Sequence, residues 1–372
     1  MDRLRERLHE IDATPAPDLW EDIVGRQPSP PSRRGSRYLA LAVGLMGAFV
    51  VAASLWALRT MLESDATRPT PGTTQLVRAN GLLALARGRP APEGEAPRTS
   101  LVTVDPATGD LRTLTSMDSR TTPTWSPDGD KLAYISNGDL VVLSVGESDP
   151  AVVAPCDPSG CEGQGSPAWS PDGSSLALWA DREGREGLWL VAADGSGPMT
   201  LLAPNLSFGT PSWAPDGRTI AISGTPSANP DDHAIFLVDS GTGAILKTIR
   251  PDDLEPWFGV SWSPDGRSLA FDAVGTGGDL SRAGIYIVDS SGDGLRLATA
   301  CHAFELCMDS KPAWSPDGEQ IAFTRTGQER GSDGMLGDIY FLLLDTGEVR
   351  PVTSGEGLDC CASWQAVDMG KA

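Results

Sequence analysis

The chain has 372 residues, with 50 acidic side chains against 29 basic ones and a formal charge of −21. Residues 1–80 are close to neutral, so the remainder carries the whole excess. Phosphate binding needs a basic footprint, which excludes nucleic acid as a partner of that remainder. An acidic field of this kind suits a cationic or metal partner, or simply keeps a domain soluble.

Residues 2–10 set Leu4 and Leu8 on one stripe, continued by Ile11, as in an amphipathic helix. After Pro15 and Pro17, Asp18 is placed to cap a second short helix through Leu19, Trp20 and Ile23. Pro28, Pro30 and Pro31 then break the chain. A helix followed by Pro17-Asp18-Leu19-Trp20 ahead of one apolar span resembles the N-terminal region of some membrane anti-sigma factors. The ligands of the zinc-containing type are missing, since His9 stands alone and residues 1–80 hold no cysteine. The plainer expectation for residues 1–37 is a cytoplasmic tail without a core of its own.

Residues 39–58 are 20 consecutive residues without a charge. As a helix they are long enough for a hydrocarbon core of about 30 Å. Arg33, Arg34 and Arg37 precede the run and Arg59 alone follows it. That basic excess predicts a cytoplasmic N-terminus and an extracytoplasmic remainder. A cleaved leader is the alternative. Against it stand the long preceding stretch and an apolar run beyond the about 7–15 residues of a signal sequence. Residues 60–79, with Thr, Pro, Gly and Ser, read as a tether. The expected division is 1–37 head, 38–59 transmembrane helix, 60–79 linker and 80–368 repeat domain.

From there one pentapeptide recurs. Trp125-Ser126-Pro127-Asp128-Gly129 returns at Trp169, at Trp213 (with Ala214 for Ser), at Trp262 and at Trp314, and a degenerate copy sits at Ser363-Trp364-Gln365. The tryptophans are 44, 44, 49, 52 and 50 residues apart. Pro presets φ, Asp caps the turn and Gly supplies positive φ, so Asp128, Asp172, Asp216, Asp265 and Asp317 read as turn residues. Each copy is followed by an apolar strand, at 132–135, 176–179, 220–222, 269–271 and 321–323. Third strands follow at 140–143, 188–191, 234–237, 285–288 and 339–342. Short strands between turn signals at this period predict an all-β propeller with four strands per blade.

The Trp-Ser-Pro-Asp-Gly turn with its apolar strand resembles the TolB-type propeller repeat, also described as WD40-like, and the likeness covers residues 81–368. Three further strands, at 81–85, 101–104 and 111–114, precede the first tryptophan and read as a blade lacking its first strand. Residues 362–366 read as a first strand with nothing after it. Pairing the two completes a blade, removes the open edges and gives six blades, with seven as the alternative.

Six cysteines fall in pairs: Cys156 with Cys161, Cys301 with Cys307, and the adjacent Cys360 and Cys361. Paired spacing in an extracytoplasmic domain predicts disulfides. The spacing of Cys301, His302 and Cys307 is not a usual structural-zinc pattern. For Cys360 and Cys361 a vicinal bridge, a reduced pair and a bond to another loop all remain open.

No Gly-x-Ser-x-Gly elbow occurs, and neither His233 nor His302 has a recognisable partner. No catalytic residue and no cofactor is therefore expected. The non-repeated acids before the first strands are Asp118, Glu162, Asp252, Asp253, Glu255, Asp309 and Asp359. Loops of that kind gather at one mouth of a propeller, where an acidic ring suits a cation or a basic peptide, or is a solvated rim. The Gly-rich loops 275–282 and 327–337 open on the same face. The expected function is a membrane-anchored extracytoplasmic module that binds a protein or cell-envelope ligand, with an anti-sigma-like relay through the head. A metal-assisted hydrolase or lyase at the acidic mouth is the alternative, and an envelope assembly subunit a third.

Overall fold

The computed structural model describes residues 78–89, 98–117, 122–156, 161–207, 209–300, 307–327, 336–354 and 358–368. The head, the apolar run at 39–58 and residues 60–77 of the expected tether lie outside these residues, so the transmembrane expectation lies outside them too, whereas Arg78 and Ala79 belong to the first strand. The described residues contain strands and no helix.

Each repeat unit folds as a small antiparallel sheet. The chain enters through β1 (Arg78–Arg89), β2 (Arg98–Val104) and β3 (Leu111–Met117). The first tryptophan unit is β4 (Thr124–Trp125), β5 (Lys131–Ser136), β6 (Asp139–Ser144) and β7 (Ala151–Ala154). Next come β8 (Cys161–Gln164), β9 (Ala168–Trp169), β10 (Ser175–Arg182), β11 (Arg185–Ala192) and β12 (Thr200–Pro204). The third unit is β13 (Leu206–Ser207), β14 (Ser212–Trp213), β15 (Thr219–Pro226), β16 (Ala234–Asp239) and β17 (Ile245–Ile249). The fourth is β18 (Leu254–Trp262), β19 (Ser268–Gly275), β20 (Asp279–Asp289) and β21 (Arg296–Leu297). The last is β22 (Cys307–Trp314), β23 (Gln320–Gly327), β24 (Leu336–Leu343) and β25 (Val349–Pro351), followed by the single strand β26 (Leu358–Asp368).

The recurring turn has one hydrogen-bond pattern. In the second copy Gly173 N donates to Ser170 O at 2.9 Å, and Gly173 takes φ 73°, a conformation that glycine adopts without strain. Ser170 Oγ donates to Asp172 Oδ1 at 2.6 Å and accepts from Ser175 N at 3.0 Å, while Ser174 N donates to Asp172 at 3.0 Å. Ser126–Asp128, Ser263–Asp265 and Ser315–Asp317 repeat it at 2.5, 2.6 and 2.6 Å. The Ser126 and Ser170 hydroxyls hold Asp128 and Asp172 below the usual carboxylate range. In the third copy Ala214 has no hydroxyl, and Asp216 keeps its bond from Arg218 N at 2.9 Å.

Successive first strands touch in order: β4 with β9, β9 with β14, β14 with β18, β18 with β22, β22 with β26, and β26 with β4. Two kinds of clasp join them. Where Thr124, Ala168 or Ala313 precedes the tryptophan, its carbonyl accepts from the next indole: Trp169 at 3.1 Å, Trp213 at 3.2 Å and Trp364 at 3.2 Å. Where Ser212, Ser261 or Ser363 precedes it, the hydroxyl accepts from the next tryptophan's backbone N–H: Trp262 at 3.1 Å, Trp314 at 3.0 Å and Trp125 at 3.3 Å.

Apolar faces of neighbouring units pack together. Ile135 and Leu140 meet Trp169, Leu178 and Trp189, and Ile235 and Leu237 meet Trp262, Phe271 and Tyr286. β26 pairs antiparallel with β1 from Arg78↔Asp368 to Gly88↔Leu358, and β1 continues to β2 and β3. This sheet packs on one side through Leu83, Leu85 and Trp364 against Ala322, Ile339 and Phe341. On the other side Ala84 and Leu101 meet Trp125, Leu132 and Tyr134.

Candidate functional site

Each turn aspartate accepts hydrogen bonds inside its own turn, and Asp317 also accepts from Asn80 Nδ2 at 2.7 Å. The depression of about 480 Å³ at that end, lined by Asp128, Asp130, Asp172 and Gln365 among others, is therefore walled largely by turn residues. The chemistry differs at the other end of the first strands.

There β18, β22 and β26 are bulged against their partners, between Pro256 and Val260, between Ser310 and Ala313, and beside Ala84 and Ala86. A bulge inserts an unpaired residue and re-aims its side chain. The residue three before each tryptophan lies in this stretch: Gly259, Lys311 and Cys361. Lys311 and Cys361 hold φ of 53° and 68°, a left-handed conformation that costs a side chain about 1–3 kcal/mol and clusters at functional sites. The three converge. A Cβ on Gly259 would stand 3.0 Å from Lys311 Cα, and Lys311 Nζ lies 3.3 Å from Cys361 Sγ. Thr210, at the same offset before Trp213, bridges to Gly259, and its N–H donates to Phe258 O at 3.0 Å.

Asp272, on β19, backs this cluster. It is 2% exposed and accepts from Gly259 N at 2.6 Å and from Phe258 N at 3.4 Å. Burial pushes its carboxyl up to about 6. Burial also lowers Lys311, against the opposing field of Asp272. Phe258 stands 48% exposed beside them, with its ring edge-on to Trp257 at 5.3 Å.

Two flanking ion pairs occupy equivalent positions, five residues before Trp314 and Trp364. Asp309 faces Arg325 across β22 and β23, with bonds of 2.6 and 2.7 Å. Arg325 lies over Phe323 and Tyr340 at 5.4 and 4.9 Å. Asp359 faces Arg87 across β26 and β1, with a bond of 2.6 Å from Nε.

The expected acidic ring is thus distributed differently. Asp309 and Asp359 are buried and each is matched by an arginine. Asp252 and Asp253 are exposed, Asp253 lies 3.8 Å from Arg282, and Glu255 accepts from Gly277 N at 2.8 Å. Asp118 and the Glu162 side chain lie outside the described residues. Among the described residues no three His, Cys, Asp or Glu side chains gather as a metal ligand set. Cys360 and Cys361 are bonded to each other. Cys156 and Cys307 are also disulfide-bonded, whereas Cys301 and the Cys161 side chain lie outside the described residues.

Sequence reasoning passed over Asp272, Lys311, Arg87, Arg325 and Phe258. One signal was present: Asp272 is a charge inside the apolar run Leu269-Ala270-Phe271-Asp272-Ala273-Val274. Such a charge marks a buried partner or a site.

No family model and no curated protein matches the chain. Solved structures do match. The chain is similar to a TolB protein from Agrobacterium tumefaciens, with 23% identity and a TM-score of 0.58 over 71% of this chain and 91% of that one. It is similar to TolB from Acinetobacter baumannii, with 20% identity and a TM-score of 0.60 over 77% of this chain and 66% of that one. A chain of a nidogen/laminin complex matches at 9% identity and a TM-score of 0.55, over 76% and 98%. At these identities the likeness speaks for the fold alone.

Proposed function

We propose that this chain, whose described part is a TolB-like β-propeller, is a binding module that takes a protein or cell-envelope ligand at the bulged end of its first strands. One observation carries the proposal: the side chains that differ between repeats, Phe258, Lys311 and Cys361, gather there, while the repeated aspartates accept hydrogen bonds within their turns. Exposed aromatic surface beside a half-buried cation is a common anchor in recognition surfaces.

The remaining parts belong to the same proposal. Six blades close into a ring through β26 and β1, a reading supported by their pairing and by the order in which the first strands touch. Residues 39–58 anchor the chain, the head stays cytoplasmic, and the propeller lies outside. Bridges from Cys156 to Cys161 and from Cys301 to Cys307 staple the loops before two of the first strands. The head relays ligand occupancy in an anti-sigma-like manner.

The test is photo-crosslinking from Phe258 in the full chain in its native membrane, with Leu246, 58% exposed on β17, as the comparison position. Adducts from 258 that disappear in Lys311→Met are expected. Equal adducts from both positions overturn the site. A reporter that is active only outside the membrane, fused after Ala372, is expected to be active, and an inactive one overturns the topology.

A further inference from the structure

The same cluster holds a bond between two adjacent cysteines. Cys360 and Cys361 form a disulfide between adjacent residues, placed in the β26 bulge. Its two sulfurs stand in different surroundings. Cys361 is 1% exposed, its N–H donates to Thr324 Oγ1 at 3.0 Å, and its Sγ accepts from Lys311 Nζ at 3.3 Å. Cys360 is the more open residue, at 8%.

We propose that Cys360–Cys361 is a thiol–disulfide exchange site whose substrate is a thiol or dithiol, with Cys360 the attacked sulfur and Cys361 the leaving thiolate held by Lys311. An incoming thiolate attacks Cys360 Sγ and forms a new S–S bond. The Cys360–Cys361 bond breaks, and its electron pair leaves on Cys361 Sγ beside the Lys311 ammonium. The donor's second thiolate then attacks its own sulfur in the mixed disulfide. The donor departs as a disulfide, and Cys360 takes a proton. Two electrons pass from the dithiol to the cysteine pair. Of the two protons released, one goes to Cys360 and the other to solvent, while Lys311 stays protonated beside the Cys361 thiolate.

The direction of attack follows from general thiol chemistry. Exchange is faster when the departing thiol is the better leaving group, and a neighbouring ammonium makes it one. The surrounding charges leave that role to Lys311. Asp309 is matched by Arg325 and Asp359 by Arg87, with Asp338 in the field of Arg87 and Asp359. Among the described residues, Asp272 is the carboxyl whose field reaches Lys311.

The experiment uses the purified full chain in detergent, treated with limiting glutathione, quenched with acid and mapped by fragmentation mass spectrometry. The expected adduct is on Cys360 with Cys361 unmodified. With dithiothreitol, Lys311→Met is expected to slow reduction of this pair by roughly tenfold, and Lys311→Arg to retain most of the rate. The bridges at Cys156 and Cys307 serve as the internal reference. An adduct on Cys361, equal adducts on both sulfurs, or an unchanged rate in Lys311→Met overturns the proposal. So does a pair that resists dithiothreitol until the protein unfolds. Should Lys311→Met not fold, the position of the adduct in the unaltered chain decides.

Discussion

Removing the Asp309 carboxylate tests how the site's wall is held. Asp309 has a fully buried side chain and accepts both arms of Arg325, whose own side chain is only 12% exposed. The guanidinium lies over the mutually stacked rings of Phe323 and Tyr340, so it cannot swing to water without giving up those contacts. Asp309→Ala therefore strands a cation in the interior, at a cost of about 3–5 kcal/mol. At about 2–4 °C per kcal/mol for a domain of this size, the melting temperature falls by roughly 6–20 °C. Replacing both partners, as in Asp309→Ala with Arg325→Met, removes the stranded charge and recovers much of the loss. The assay is urea unfolding followed by tryptophan fluorescence on the four corners of the cycle. A loss under about 1 kcal/mol in Asp309→Ala refutes the reasoning, as does a double variant whose loss equals the sum of the two single ones.

Asp272 supplies the pH dependence. Its folded pKa of about 6 lies above the ordinary 3.8, so the protonated carboxyl favours folding at low pH and that contribution is lost as pH rises through 6. Asp272→Asn is expected to gain about 3 kcal/mol over the parent above pH 7 and nothing near pH 4, read from urea midpoints at the two pH values. Ala214→Ser should restore the missing hydroxyl bond of the third turn and raise stability by about 0.5–1 kcal/mol, whereas Ser170→Ala should lose a similar amount, both by calorimetry. Deleting residues 358–372 removes β26 and exposes the edge of β1, so near-ultraviolet circular dichroism should collapse and the protein should aggregate.

The turns were legible because each one needs the same few residues, and Trp, Pro, Asp and Gly repeat after five of the first strands, the copy at Trp364 lacking the turn. The strands of the N-terminal blade were legible too: β1, β2 and β3 cover the runs at 81–85, 101–104 and 111–114, and β26 covers 362–366. The site was not. A bulge changes how many residues oppose one another, and alternation along a single strand carries no record of its partner's count, so nothing marked Lys311 and Cys361 as neighbours. Asp309 and Asp359 looked like solvated rim because Arg325 and Arg87 lie on other strands, Arg87 far away in sequence, and meet them only through register. The bond between Cys360 and Cys361 was one of three open choices, because spacing alone does not choose among them.

The two clasps between first strands make the seams of the structure interchangeable. At the junctions closed by a serine hydroxyl, the indole N–H groups of Trp125 and Trp262 are buried without an acceptor. Those indoles hold in reserve the donor that Trp169, Trp213 and Trp364 already use. Serine on one side, and alanine or threonine on the other, are thus two settings of one fastener, closed by a hydroxyl or by a carbonyl.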